Sequence, residues 1–130
     1  MGLIDRAFGA DKNSMLFNRL ALHWRMVASH YENYLASNPI EGDQKEVLSE
    51  IRSRSVNLAD KAIRSIKGFG VTSPDISSFL SDLDALAALQ KRIQVTTDKS
   101  QWLPEAIYST KDILSGNKKR YMNNQFWFSD

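Results

Sequence analysis

An all-α fold, a single-domain up-and-down bundle of four helices followed by a short aromatic tail, is predicted by three features of the 130-residue sequence. Apolar residues recur at three- and four-residue steps through most of its length, the spacing that gathers them on one face of a helix. Proline, glycine and serine cluster between those stretches, where turns belong. Valine, isoleucine and threonine nowhere alternate with polar residues over a useful length, so strands are not expected. The bundle is assigned to residues 1–116 and the basic, aromatic tail to residues 117–130.

The first helix is expected over residues 14–37, where Phe17, Leu20, Trp24, Val27, Tyr31, Tyr34 and Leu35 form one broad stripe. Asn13 or Ser14 can cap its start, and Pro39 stops it by disfavouring helix in the residue before. The second opens at Asp43 as N-cap, with Glu46 at capping-box spacing. Val47, Leu48, Ile51, Leu58, Ala59, Ala62 and Ile66 share its face, Ser55 sits among them as a small residue permitting close approach, and Gly68 is placed to end it.

The third helix has Ser73 as its expected N-cap, Pro74 at the first helical position and Asp75 behind it. Ile76, Phe79, Leu80, Leu83, Leu86, Leu89 and Ile93 make the clearest stripe in the chain. The fourth is shorter, with Pro104 in its first turn, Ala106, Ile107, Ile113 and Leu114 apolar, and Gly116 or Asn117 at its end. Connections of roughly 5 to 8 residues favour antiparallel neighbours.

Composition narrows the function classes. A chain of this length buries roughly two thirds of its unfolded surface and needs no covalent staple. It has no cysteine, which removes disulfides, thiolate catalysis and Cys-ligated zinc and fits a reducing, cytoplasmic setting. The first residues lack the basic and apolar regions of a secretory signal, and Arg6 stands where a myristoylation motif wants Ser or Thr. No run of about 18 apolar residues is present, so no membrane span is expected. Net charge is only +2 from 17 basic and 15 acidic residues, too balanced to imply nucleic acid by itself.

Catalytic chemistry is not expected, and neither is a metal or a cofactor. His23 and His30 are the only two histidines, seven residues apart on the first helix. Two turns separate them by roughly 10 Å along the axis, too far to share an ion, so they are expected at the stripe's edge, bonded to a neighbouring helix. Asp82 and Asp84 are two apart on a helix and diverge. No phosphate loop, Ser/His/Asp arrangement or Glu-x-x-His pair is present.

The stretch "RSIKGFG", residues 64–70, resembles the His-x-x-Lys-Gly motif of histidine phosphotransfer domains, which are four-helix bundles of this size. Arg64 stands where the phosphorylated histidine belongs, so the resemblance implies a degenerate, inactive relative at most. In that family the Lys-Gly pair lies within a helix, whereas Gly68, Phe69 and Gly70 here favour a turn.

Two surfaces remain. Met15, Leu22 and Met26 form a second apolar strip on the first helix, away from its main stripe, which implies either a helix contacted on two sides or one that meets another chain. In the tail, Phe126, Trp127 and Phe128 follow the basic run Lys118, Lys119 and Arg120, and three large aromatics call for a covering partner. These six apolar positions point to a non-catalytic protein-binding or assembly module, through self-association or docking to a larger complex. The alternative is a nucleic-acid-binding accessory subunit. It would grip phosphates with Arg54, Lys61 and Arg64, expected on the outward face of the second helix with Asn57, and with Lys118, Lys119 and Arg120, while tail aromatics stack on bases.

Overall fold

The structure, a computed structural model, describes residues 2–68 and 70–116. Four helices carry it: α1 (Gly2–Ser37), α2 (Gly42–Arg64), α3 (Ile76–Gln90) and α4 (Trp102–Leu114). Two-residue strands β1 (Ile66–Lys67) and β2 (Gly70–Val71) pair antiparallel between α2 and α3, with Ile66 opposite Val71 and Lys67 opposite Gly70.

Cross-helix pairs fix the directions. Arg25 pairs with Asp60, and further along α1 Glu32 meets Arg52, which lies earlier in α2. Trp24 bonds Thr110, while His30, further along α1, meets Trp102 at the start of α4. Arg54 reaches Asp82 of α3, and Lys61, further along α2, reaches the earlier Ser78. Each adjacent pair therefore runs antiparallel, and α1 packs between α2 and α4 with β2 also against it. The up-and-down four-helix arrangement is the one its apolar periodicity predicts.

The core is one cluster. Leu20, Trp24 and Val27 of α1, Leu48, Ile51 and Leu58 of α2, Leu83 and Leu86 of α3, and Leu103 of α4 are fully enclosed. Ser55 lies among them, as small residues do where helices approach closely, and its hydroxyl has no hydrogen-bond partner.

Several expected boundaries are corrected. α1 starts at Gly2 rather than at Asn13 or Ser14, because no proline interrupts the residues before them and the helical bonding runs through. Asp43 does not cap α2. Glu41 holds that place without a side-chain bond, Gly42 has φ +66°, and the Asp43 carboxylate instead accepts from the Arg92 guanidinium across the bundle end. Beside it, Gln44 bonds both the Arg92 carbonyl and the Gln94 amide at 2.9 Å, tying the α3–α4 connection to α2.

α2 stops at Arg64, earlier than Gly68, because the Ser65 carbonyl accepts the Thr72 amide at 2.8 Å and the returning chain replaces the next helical turn. Gly68, at φ +64°, serves the hairpin turn instead, and Ile66 lies in β1 rather than on the helical stripe. The cap of α3 is Asp75, whose carboxylate accepts the Ser78 amide at 3.1 Å, so Ser73 and Pro74 lie outside the helix. Ile76 and Leu80 are exposed despite their place in the stripe, and Ile93 lies beyond the end of α3. Gly116, at φ +94°, closes α4 as expected. No described helix is long and apolar enough to cross a membrane.

Candidate interaction groove

The second apolar strip of α1 lies on the side of that helix turned away from the core. Met15 and Leu22 are exposed by 48% and 56%, and Met26 is half-buried against the core's edge. Here α1 is contacted on both flanks and still leaves apolar surface open.

Leu22 and Met26 form one wall of a groove of about 620 Å³ running along the second half of α1. Ser29, Asn33 and Tyr34 continue that wall, while Asp98, Lys99 and Trp102 form the facing one. Trp102 is half-buried at the first position of α4, and the Lys99 ammonium stands 4.7 Å from its ring centroid, a cation–π distance.

His30 ties the walls together. Its Nε2 shares a 2.9 Å hydrogen bond with the Thr97 hydroxyl, and its ring meets Trp102 edge-on at 6.1 Å between centroids. Thr97 is itself held by the Ser100 hydroxyl, which accepts the Thr97 amide at 2.7 Å. Burial lowers the His30 pKa, the nearby Lys99 lowers it further, and Asp98 partly opposes them. His23, two turns earlier, is buried, and burial with the Arg19 charge lowers its pKa to about 4. Burial thus disfavours the charged form of both histidines, and His30 serves to position Thr97 and Trp102 against α1. No set of three or more histidine, aspartate or glutamate side chains able to hold a metal ion occurs among the described residues.

The basic face of α2 is only partly the open one expected: Asn57 and Arg64 are exposed, but Arg54 and Lys61 are partly covered and engaged by carboxylates. Arg54 Nη1 donates to Asp82 Oδ1 at 3.1 Å, the Lys61 ammonium bonds Asp82 Oδ2 at 2.5 Å, and Asn57 Nδ2 donates to the same oxygen at 3.3 Å. Arg54 also engages Glu50 at 3.2 Å. Positions 54, 57 and 61 border the buried stripe of Ile51, Ser55, Leu58 and Ala62 on the side of α3, so Arg54 and Lys61 are partly covered while Asn57 stays exposed. Asp82 is buried at their meeting point, and Arg64 alone of the three cations is exposed. Arg64 ends α2 while Lys67 and Gly68 lie in the hairpin, so the stretch resembling the phosphotransfer motif is not helical. The tail positions Lys118, Lys119, Arg120, Phe126, Trp127 and Phe128 fall outside the described residues.

The sequence pointed to Leu22 and Met26 but missed the facing wall. Trp102 reads as an ordinary helix-start residue, and its one signal is an aromatic placed just before the first enclosed position, Leu103. Compared with known protein families, curated proteins and solved structures, the chain matches none.

Proposed function

We propose that the protein is a non-catalytic protein-binding or assembly module whose docking face is the α1 groove and the strip of Met15, Leu22 and Met26 leading into it. The observation that carries this reading is the exposure of Met15 and Leu22 in line with a groove that also presents Met26 and Trp102. Contiguous apolar surface of this kind is characteristic of interaction sites, and Met and Trp are enriched at interface centres. A cytoplasmic setting belongs to the same proposal, supported by the cysteine-free sequence.

The nucleic-acid reading has less support, because Asp82 and Glu50 already engage Arg54 and Lys61. The test is affinity capture from the native host with the full chain and with its Leu22→Glu/Met26→Glu variant. Retention of a protein through 50 to 500 mM salt, lost in the variant, is the expected result. Retention of nucleic acid that falls steeply with salt and ignores the variant overturns the proposal.

A further inference from the structure

We infer that Ser73 is a phosphorylation site, the acceptor for a proline-directed serine/threonine kinase, and that the phosphoryl group it takes is held by Arg64. The site is independent of the docking role proposed above.

The sequence predicts Ser73 as the cap of α3, but Asp75 takes that role, and the Ser73 hydroxyl makes no hydrogen bond among the described residues. It is exposed in the connection between β2 and α3, outside any helix or strand. Pro74 restricts Ser73 to extended backbone, the conformation in which a modifying enzyme can reach round an acceptor side chain. Having no N–H, Pro74 also leaves no amide for that enzyme to satisfy at the next position. The chain's three prolines follow Asn38, Ser73 and Leu103, so this is its one serine– or threonine–proline pair. Both flanks are fastened: Thr72 gives its amide and its hydroxyl to the Ser65 carbonyl at 2.8 and 3.1 Å, and the Asp75 carboxylate accepts the Ser78 amide. Neighbouring hydroxyls lack this combination, since that of Thr72 is engaged and Ser77 and Ser78 lie within α3.

A receiving cation stands beside it. Ser73 and Arg64 line one pocket of about 220 Å³, together with Lys61, Asp75 and Ser78. Arg64, the exposed last residue of α2, has no carboxylate partner among the described residues. Lys61 is already bound by Asp82 and Ser78, and Asp75 is turned to the Ser78 amide, so Arg64 is the group left to meet an anion. Counting Asp82 behind Lys61, two cations and two carboxylates cancel, so the pocket has no net charge to gather a free anion, and attachment through the Ser73 oxygen is what would keep one there. A phosphoryl group brings close to two negative charges, and the guanidinium offers its oxygens two parallel N–H donors. In the transfer, Ser73 Oγ bonds the γ-phosphorus of a nucleoside triphosphate as the bond to the β–γ bridging oxygen breaks. The nucleoside diphosphate leaves, and the hydroxyl proton passes to a carboxylate of the kinase.

The full chain, incubated with a purified proline-directed serine/threonine kinase, ATP and Mg²⁺, is expected to gain one phosphoryl group by intact mass, mapped to Ser73 by fragmentation. Ser73→Ala and Pro74→Ala, both changes outside the core, should gain none there while keeping the parent's helical circular dichroism. A ³¹P NMR titration then reads the part of Arg64. The second pKa of a phosphoserine lies near 6, and a neighbouring guanidinium favours the dianion, so Arg64→Gln should raise that pKa above its value in the phosphorylated parent. Three results each overturn the proposal: no phosphate at Ser73 in the folded parent chain, undiminished phosphate at Ser73 in Pro74→Ala, or a phosphate pKa that ignores Arg64→Gln. None of these readouts involves the α1 groove, so the site and the docking role fail separately.

Discussion

The indole Nε1–H of Trp24 donates to the Thr110 hydroxyl oxygen at 3.0 Å, with both residues wholly enclosed where α1 crosses α4. A buried indole donor left without an acceptor costs more than the net worth of one hydrogen bond, so this pair sets the registry of the two helices. That registry aligns His30 with Trp102 and so forms the groove.

Thr110→Val removes the acceptor while keeping the side chain's volume. It should lower unfolding free energy by about 1 to 3 kcal/mol in a denaturant titration. The added loss on combining it with Trp24→Phe should be smaller than Trp24→Phe causes alone, because the two groups are partners. Full additivity removes the hydrogen bond from the account of stability.

Two aspartates on one helix should respond differently. Asp82 is buried between Arg54, Asn57 and Lys61, whereas Asp84 is 74% exposed and pairs with Lys111 at 3.4 Å. Asp82→Ala should cost roughly 2 kcal/mol, below the figure for a fully buried pair because the Arg54 and Lys61 side chains reach solvent. Asp84→Ala should stay within about 0.5 kcal/mol, as exposed pairs do. Equal thermal shifts for the two variants contradict the central place given to Asp82.

Stability should fall with acid between pH 6.5 and 4. The His23 pKa is held down to about 4 in the folded chain from 6.5, by burial first and Arg19 second. Below pH 6.5 the unfolded chain therefore takes up a proton that the folded chain refuses, so stability present above that pH is lost as pH falls toward 4. A depression of this size corresponds to roughly 3 kcal/mol at the acid end. His30 adds in the same direction. His23→Gln should flatten the profile in this window, measured as unfolding free energy at each pH, and an unchanged slope assigns the acid sensitivity elsewhere.

Leu20 and Leu22, two residues apart on α1, are fully enclosed and 56% exposed respectively. Leu20→Asp should unfold the domain or nearly so, since an unpaired buried carboxylate costs several kcal/mol against a typical total of roughly 5 to 15. Leu22→Glu should leave the melting temperature close to that of the parent chain. Circular dichroism melts of the two variants decide whether core stripe and docking strip are separate surfaces.

What the sequence by itself determined is what periodicity and single-residue backbone preference encode: four helices, the enclosed stripes of Leu20, Trp24 and Val27 and of Leu83 and Leu86, and the left-handed turns at Gly68 and Gly116. The same pattern exposed the second strip on α1, because Met15 and Leu22 lie off its buried face whatever the partner helices do. Only the tertiary structure decided the rest. Asp82 reads only as one of two diverging carboxylates until α2 brings Arg54 and Lys61 against it, and Asp43 looks like a cap until Arg92 approaches from just beyond the end of α3. The groove has one wall on α1 and the other around Trp102, dozens of residues away, so no local window contains it. Backbone preference acts between near neighbours in the chain, whereas ion pairs, caps under competition and grooves depend on which distant residues meet, and that is set by how the four apolar stripes pack together.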